Sequence, residues 1–210
     1  MIYPKKNPII FWTMHYYVKW IVGRHFHELL FNKIETDDNR SILLIANHYS
    51  FWDSLILYCV NTLLFKKKMY IMILEETARE NVFFKYAGAF SINKKSKDML
   101  ASLDYAAKLL DDPQNMVLIF PQGKLYPNFV NDINFEKGVL RIIKQARGSF
   151  QLVFAAAFVQ YFKYKKPTAT VYLKAADEGF AGKTINELQN AYQQYYNQSK
   201  QVQTEIDIEQ

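Results

Sequence analysis

From Ser41 to Ala175 the chain alternates short β-rich apolar runs with helical stretches, and this alternation narrows its fold more than any other feature. The runs SILLIAN (41–47), KMYIMIL (68–74), AFSINK (89–94), NMVLIFP (115–121), FQLVFAAAFVQYF (150–162) and TATVYLKA (168–175) read as strands. The segments 51–65, 75–88 (ending near Gly88), 96–110 and 136–147 read as helices between them. Strands separated by helices call for crossover connections, so the expected fold is a single α/β domain. Its sheet is mixed but largely parallel, flanked by helices.

Two segments flank this core. Residues 8–32 are unusually aromatic, with bulky apolar groups around most of a helical circumference and Lys19, Arg24 and Glu28 as the few charges. They read as one or two helices. These either cap the core or lie in a membrane interface, with Trp12, Tyr16, Tyr17 and Trp20 at headgroup level. The Gln- and Tyr-rich stretch from about Thr184 reads as a polar helical tail. The expected organisation is therefore an aromatic helical segment at 1–34, an α/β domain at 35–183 and the tail at 184–210. There is no internal repeat and no Gly/Ser-rich linker.

Composition limits the function classes. Lys and Arg number 26 against 20 Asp and Glu, a formal charge of +6 that favours an anionic partner. One cysteine, Cys59, rules out an intrachain disulfide and suits a reducing compartment. No apolar run reaches the roughly 18 residues of a spanning helix, and the first residues lack the pattern of an export signal. The expectation is a cytoplasmic protein, peripheral on the inner face of the cell membrane. His15, His25, His27 and His48 show no metal-ligand spacing, and no G-x-S-x-G, P-loop or dinucleotide fingerprint occurs. Charge and aromatics follow no nucleic-acid-binding pattern, so no nucleic acid is expected as partner.

His48 follows the strand ending at Asn47, and Asp53 falls in the first turn of the next helix. Active sites of open α/β sheets collect beyond the carboxyl ends of the strands. Two readings stand here. The pair is an incidental hydrogen-bonded couple, or Asp53 fixes one imidazole nitrogen as donor and leaves the other to take a proton. Asn47, Ser50 and Ser54 add short polar groups around the same turn.

Three further segments favour the second reading. In YAGAFSINKKS (86–96) a glycine and a strand lead to Lys94, Lys95 and Lys97, and in LIFPQGKLYP (118–127) a strand delivers a Pro-Gln-Gly turn. In FEKGVLRIIKQARGSFQLVFAAAF (135–158) a helix beginning near Gly138 feeds a long apolar strand. Taken in order, these blocks resemble the glycerolipid acyltransferase family, over roughly residues 40–160. The family pattern N-H-x-S-x-x-D is matched by Asn47, His48, Ser50 and Asp53. G-x-x-x-I-x-R is met by Gly88 and Ile92, with Lys94 in place of arginine. F-P-E-G-x-R-S is met by Phe120, Pro121 and Gly123, with Gln122 replacing glutamate and Leu125 replacing arginine; Phe135 and Gly138 match the helix start. The proline usual before the apolar end of the fourth block is missing.

The resemblance implies O-acyl transfer from a thioester, acyl-CoA or acyl carrier protein, to a hydroxyl of a lysophospholipid-like lipid or other amphipathic alcohol. His48 is the implied general base and Asp53 its orienting partner. Asn47, Ser50, Gly88, Lys94, Lys95, Phe120, Pro121, Gln122, Gly123 and Lys124 form the implied substrate-binding set. No metal or cofactor is called for beyond the acyl donor, and a membrane surface is the implied location. The uncharged Gln122 and Leu125 keep open a non-glycerophosphate acceptor: an aminoacyl lipid, a polyene or carotenoid pigment, or a glycolipid. A lipid-binding protein without catalysis is the remaining alternative, against which the intact His48 and Asp53 stand.

Overall fold

A computed structural model describes residues 1–5, 7–93, 98–128, 130–176 and 179–206. In chain order these form α1 (Pro8–His25), β1 (Glu28–Phe31), β2 (Ser41–Ala46), α2 (Trp52–Leu63), β3 (Lys68–Leu74) and α3 (Glu75–Glu80). There follow a 3-10 turn (Val82–Ala87), β4 (Ala89–Ile92), α4 (Met99–Leu109), β5 (Asn115–Ile119), α5 (Gly138–Gln145), β6 (Phe150–Gln160), β7 (Thr168–Ala175) and α6 (Ile185–Thr204).

The described strands make one sheet in the order β1-β7-β6-β2-β5-β3-β4. Strands β2 to β6 are all parallel; β7 runs antiparallel to β6, and β1 parallel to β7. The protein is thus a single α/β domain with a mostly parallel sheet, as the alternation predicts. Strand β2 lies centrally and is buried throughout. Its side chains alternate between two cores, because successive residues of a strand face opposite sides. Ile42, Leu44 and Ala46 join Val18, Val22, Ile56 and Val60 beneath α1 and α2. Leu43 and Ile45 join Leu103, Ala106, Ile142, Leu188 and Tyr192 beneath α4, α5 and α6. Burial on both faces explains why β2 and β5 read as unbroken apolar runs.

One expectation is corrected. Residues 28–31 are not helical; they pair with β7 as an edge strand, Glu28 opposite Thr168 and Phe31 opposite Val171. The helix stops at Phe26, whose backbone turns extended (φ −103°, ψ 148°), just after a last turn of Gly23, Arg24 and His25. The expected helix near 184 is present, opened by a reciprocal Thr184–Glu187 capping box. Its Gln-rich surface hides a buried stripe of Leu188, Tyr192, Tyr195 and Tyr196 packed against the sheet. Gly88 ends the 3-10 turn at φ 91°, and a Cβ there would lie 2.3 Å from the Met69 carbonyl oxygen. Only glycine fits that position without strain.

Candidate active site

Parallel pairing of β2 with β5 sets Ile45 beside Ile119, so the loops after both strands emerge together at one sheet edge. Three contacts join them. The His48 backbone N–H donates to Gln122 Oε1 (2.6 Å), Tyr126 N–H donates to the His48 carbonyl (3.1 Å), and the Phe120 ring stacks on the imidazole with centroids 4.1 Å apart.

Asp53 sits in the first turn of α2, where a helix favours negative charge. The residue is 3% exposed, and its carboxylate is fully engaged. Oδ2 accepts from Tyr49 N–H (2.6 Å), Ser50 N–H (2.8 Å) and His48 Nδ1 (3.0 Å), while Oδ1 accepts from the Ser50 hydroxyl (2.8 Å). A carboxylate oxygen offers only lone pairs, so Nδ1 carries the imidazole proton and Nε2 keeps a lone pair. Behind the loop, the Tyr49 hydroxyl donates to that of Tyr196 at 2.6 Å, and burial raises the Tyr49 phenol far above its usual range. Tyr192, buried and likewise raised by desolvation, donates to the Ala155 carbonyl (2.7 Å).

His48 lines a cavity of about 730 Å³, within the range of about 300–1,000 Å³ common for small-ligand sites. The lining is exposed at Phe51, Lys124, Leu125, Glu136 and Lys137, and buried at Leu103, Ile119, Val139 and Ile142. Met72, Leu74, Phe84, Ile92 and Met99 extend its apolar wall. A smaller cavity of about 70 Å³ beneath α1 shares Ser54, Ile73 and Phe84 with it.

The implied substrate-binding residues separate into groups. Phe120, Pro121, Gly123 and Lys124 line the cavity with His48. Asn47, Ser50, Gly88 and Gln122 do not line it. Asn47 is completely buried and clamps β6, its amide donating to the Ala157 carbonyl (2.9 Å) and accepting from the Ala157 N–H (2.8 Å). Ser50 braces Asp53, Gly88 closes its turn beside β3, and Gln122, 3% exposed, supports the backbone of His48. Lys94 and Lys95 lie outside the described residues. The amide of Gly123 (φ 66°) is already used within its turn, donating to the Phe120 carbonyl at 3.1 Å.

Sequence reasoning missed the cavity walls at Met72, Phe84, Met99 and Val139, and the Tyr49–Tyr196 bond. Nothing local links Tyr49 to a tyrosine 147 residues away.

The model of the family described as Acyltransferase matches residues 28–161, from β1 to just past the end of β6. No curated protein matches the chain.

Proposed function

We propose that this chain, which belongs to the acyltransferase family of glycerolipid acyltransferases, moves a fatty acyl group from a thioester to a hydroxyl of a lysophospholipid-like acceptor. The carrying observation is a histidine held by a buried carboxylate on Nδ1, with its ring on the wall of a cavity that is apolar in depth. The acceptor hydroxyl hydrogen-bonds to His48 Nε2, which takes its proton as the oxygen attacks the thioester carbonyl. Asp53 stabilises the imidazolium so formed. As the tetrahedral intermediate collapses, the C–S bond breaks and the departing thiolate takes the proton back from Nε2. Ester and free thiol are the products, and no acyl-enzyme is needed. The thioester is that of acyl-CoA or acyl carrier protein, and its chain occupies the buried lining between Leu103, Val139 and Ile142. Lys124 and Lys137, exposed on the cavity rim, supply charge for an acceptor phosphate.

A second reading of the acceptor rests on Gln122 and Leu125. Gln122 is occupied with the His48 backbone, and Leu125, 56% exposed on the rim, presents apolar surface where the family carries arginine. Both features suit an alcohol without phosphate.

The enzyme works at a membrane surface. Ile9, Trp12, Tyr16 and Trp20 recur at helical spacing on the outer face of α1 and are 53–79% exposed, and such Trp and Tyr rings settle at headgroup level. No helix among the described residues is long and apolar enough to cross a membrane.

The test is thiol release from acyl-CoA or acyl carrier protein with a panel of lysolipids and alcohols. His48→Ala should lower the rate about 10²–10⁴-fold. Acceptor-dependent thiol release that survives this substitution unchanged removes the general-base assignment.

A further inference from the structure

The carboxyl-terminal end of α1 has a basic neighbour. Strand β6 runs parallel to β2, so its carboxyl end leaves the sheet at the edge that carries His48. Ala155 is the last β6 residue opposite β2, beside Ala46, yet the strand continues five residues further to Gln160. At 3.3 Å per residue that is an overhang of about 17 Å. The connection to β7, residues 161–167, therefore stands well beyond the strand ends that frame the active site.

Its sequence, YFKYKKP, is charged in one sense only. Lys163, Lys165 and Lys166 are exposed, as are Tyr161 (67%) and Tyr164 (40%). The connection is also anchored. The His27 N–H donates to the Pro167 carbonyl (2.8 Å), and the His27 ring stacks on Tyr164 with centroids 3.5 Å apart and planes 19° from parallel. His27 follows directly on the end of α1, where Arg24 lies 5.8 Å from the Trp20 ring. From there a chain of ring contacts reaches the cavity: His25 to Trp52 (4.9 Å), then Trp52 to Phe51 (5.8 Å), which is on the cavity wall. The connection and the cavity wall thus both adjoin the carboxyl-terminal end of α1. Glu28, at the start of β1, and Glu136, on the cavity lining, are acidic residues near these elements.

We infer, resting on the membrane docking proposed for α1, that the β6–β7 connection is a second docking element that binds the headgroups of anionic lipids. Lysines interleaved with tyrosines match such a surface twice over. Ammonium groups meet lipid phosphates, while amphipathic rings settle at headgroup depth. The two elements divide the task. The Trp-rich face of α1 supplies adhesion to any bilayer, and the connection makes adhesion depend on negative charge and turns the cavity opening toward the lipid. Together they supply an apolar and an electrostatic signal, the combination that anchors peripheral proteins stably.

The experiment is co-sedimentation of the full chain with vesicles of phosphatidylcholine, or of equal parts phosphatidylcholine and phosphatidylglycerol. The wild type should prefer the anionic vesicles, and raised salt should erase the preference. Each lysine near such a surface is worth a factor of about five in affinity. The triple variant Lys163→Gln, Lys165→Gln, Lys166→Gln should therefore bind anionic vesicles roughly a hundredfold more weakly and neutral vesicles unchanged. Arginine at all three positions should preserve binding, which separates charge from fold. Trp12→Ser with Trp20→Ser should weaken binding to both compositions; if it does not, the docking role of α1 fails while that of the connection is still read from the lysine variants. Thiol release in detergent micelles should be the same for wild type and the glutamine variant.

Equal wild-type binding to both vesicle types, or a glutamine variant that keeps its anionic affinity, overturns the inference. A glutamine variant that holds vesicles normally but loses acyl carrier protein as donor also overturns it, by assigning the lysines to that acidic protein.

Discussion

Replacing Asp53 with asparagine should give a slower enzyme that keeps its geometry, because of how the carboxylate is held. Oδ2 faces three donors: Tyr49 N–H, Ser50 N–H and His48 Nδ1. An asparagine placing its NH2 there would meet two fixed backbone N–H groups, so its oxygen must take that position. The NH2 then faces the Ser50 hydroxyl, which can rotate to accept. His48 therefore keeps its proton on Nδ1 and its lone pair on Nε2. What is lost is the carboxylate's charge when the imidazolium forms. A hydrogen bond to a charged group contributes about 1.5–3 kcal/mol, so kcat for thiol release should fall about 10–150-fold. Alanine at the same position leaves three donors without an acceptor in a buried site, at about 1–3 kcal/mol each. Asp53→Ala should therefore lower Tm sharply while Asp53→Asn barely moves it. The assay pairs initial rates with thermal unfolding of both variants. The reasoning is refuted if Asp53→Asn loses more than about 10³-fold in kcat at unchanged Tm, since that outcome needs a displaced or wrongly protonated imidazole. Wild-type rates for the asparagine variant would refute it from the other side, by removing any imidazolium that needs stabilising.

Further outcomes follow from the same contacts. Gly88→Ala combines a positive φ with the Met69 carbonyl 2.3 Å from its Cβ; it should destabilise by about 2–4 kcal/mol, seen as a lower Tm. Gln122→Ala strips the His48 N–H of its buried acceptor and should cost about 1–3 kcal/mol, with a fall in kcat larger than any change in KM for the acceptor. An equal change in both would make Gln122 an acceptor contact instead. Ile142→Phe adds bulk to a fully buried position on the cavity wall, and should shift the preferred acyl chain to shorter lengths in competition between donors. Tyr196→Phe removes the hydroxyl that accepts from Tyr49 and should cost about 1 kcal/mol by denaturant titration.

What could be read from the sequence was what short-range pattern encodes. Strands β3 and β7 occupy the residues their β-rich runs indicate, 68–74 and 168–175. His48 and Asp53 were legible as a pair because five residues of strand end and first helical turn leave them little choice but to meet. Edge strand β1 was not legible, because it is only four residues long and its pairing is fixed by β7 far along the chain. Several block residues were legible as neighbours of His48 but not in what they touch. Asn47 and Gln122 are polar groups in a motif, and only the fold spends both on backbone neighbours behind the cavity. The cavity itself is assembled from many elements, each contributing apolar residues indistinguishable in sequence from ordinary core.

The bond between Tyr49 and Tyr196 also has a temporal meaning. The two residues are 147 positions apart, which at about 5–20 residues per second separates their synthesis by roughly 7–30 s. During that interval a nascent chain already owns its histidine, its aspartate and much of the sheet, while the loop carrying them lacks its clasp. The helix that brings this clasp contributes no group to the chemistry, so the last bond made to the loop comes from an element synthesised long after it.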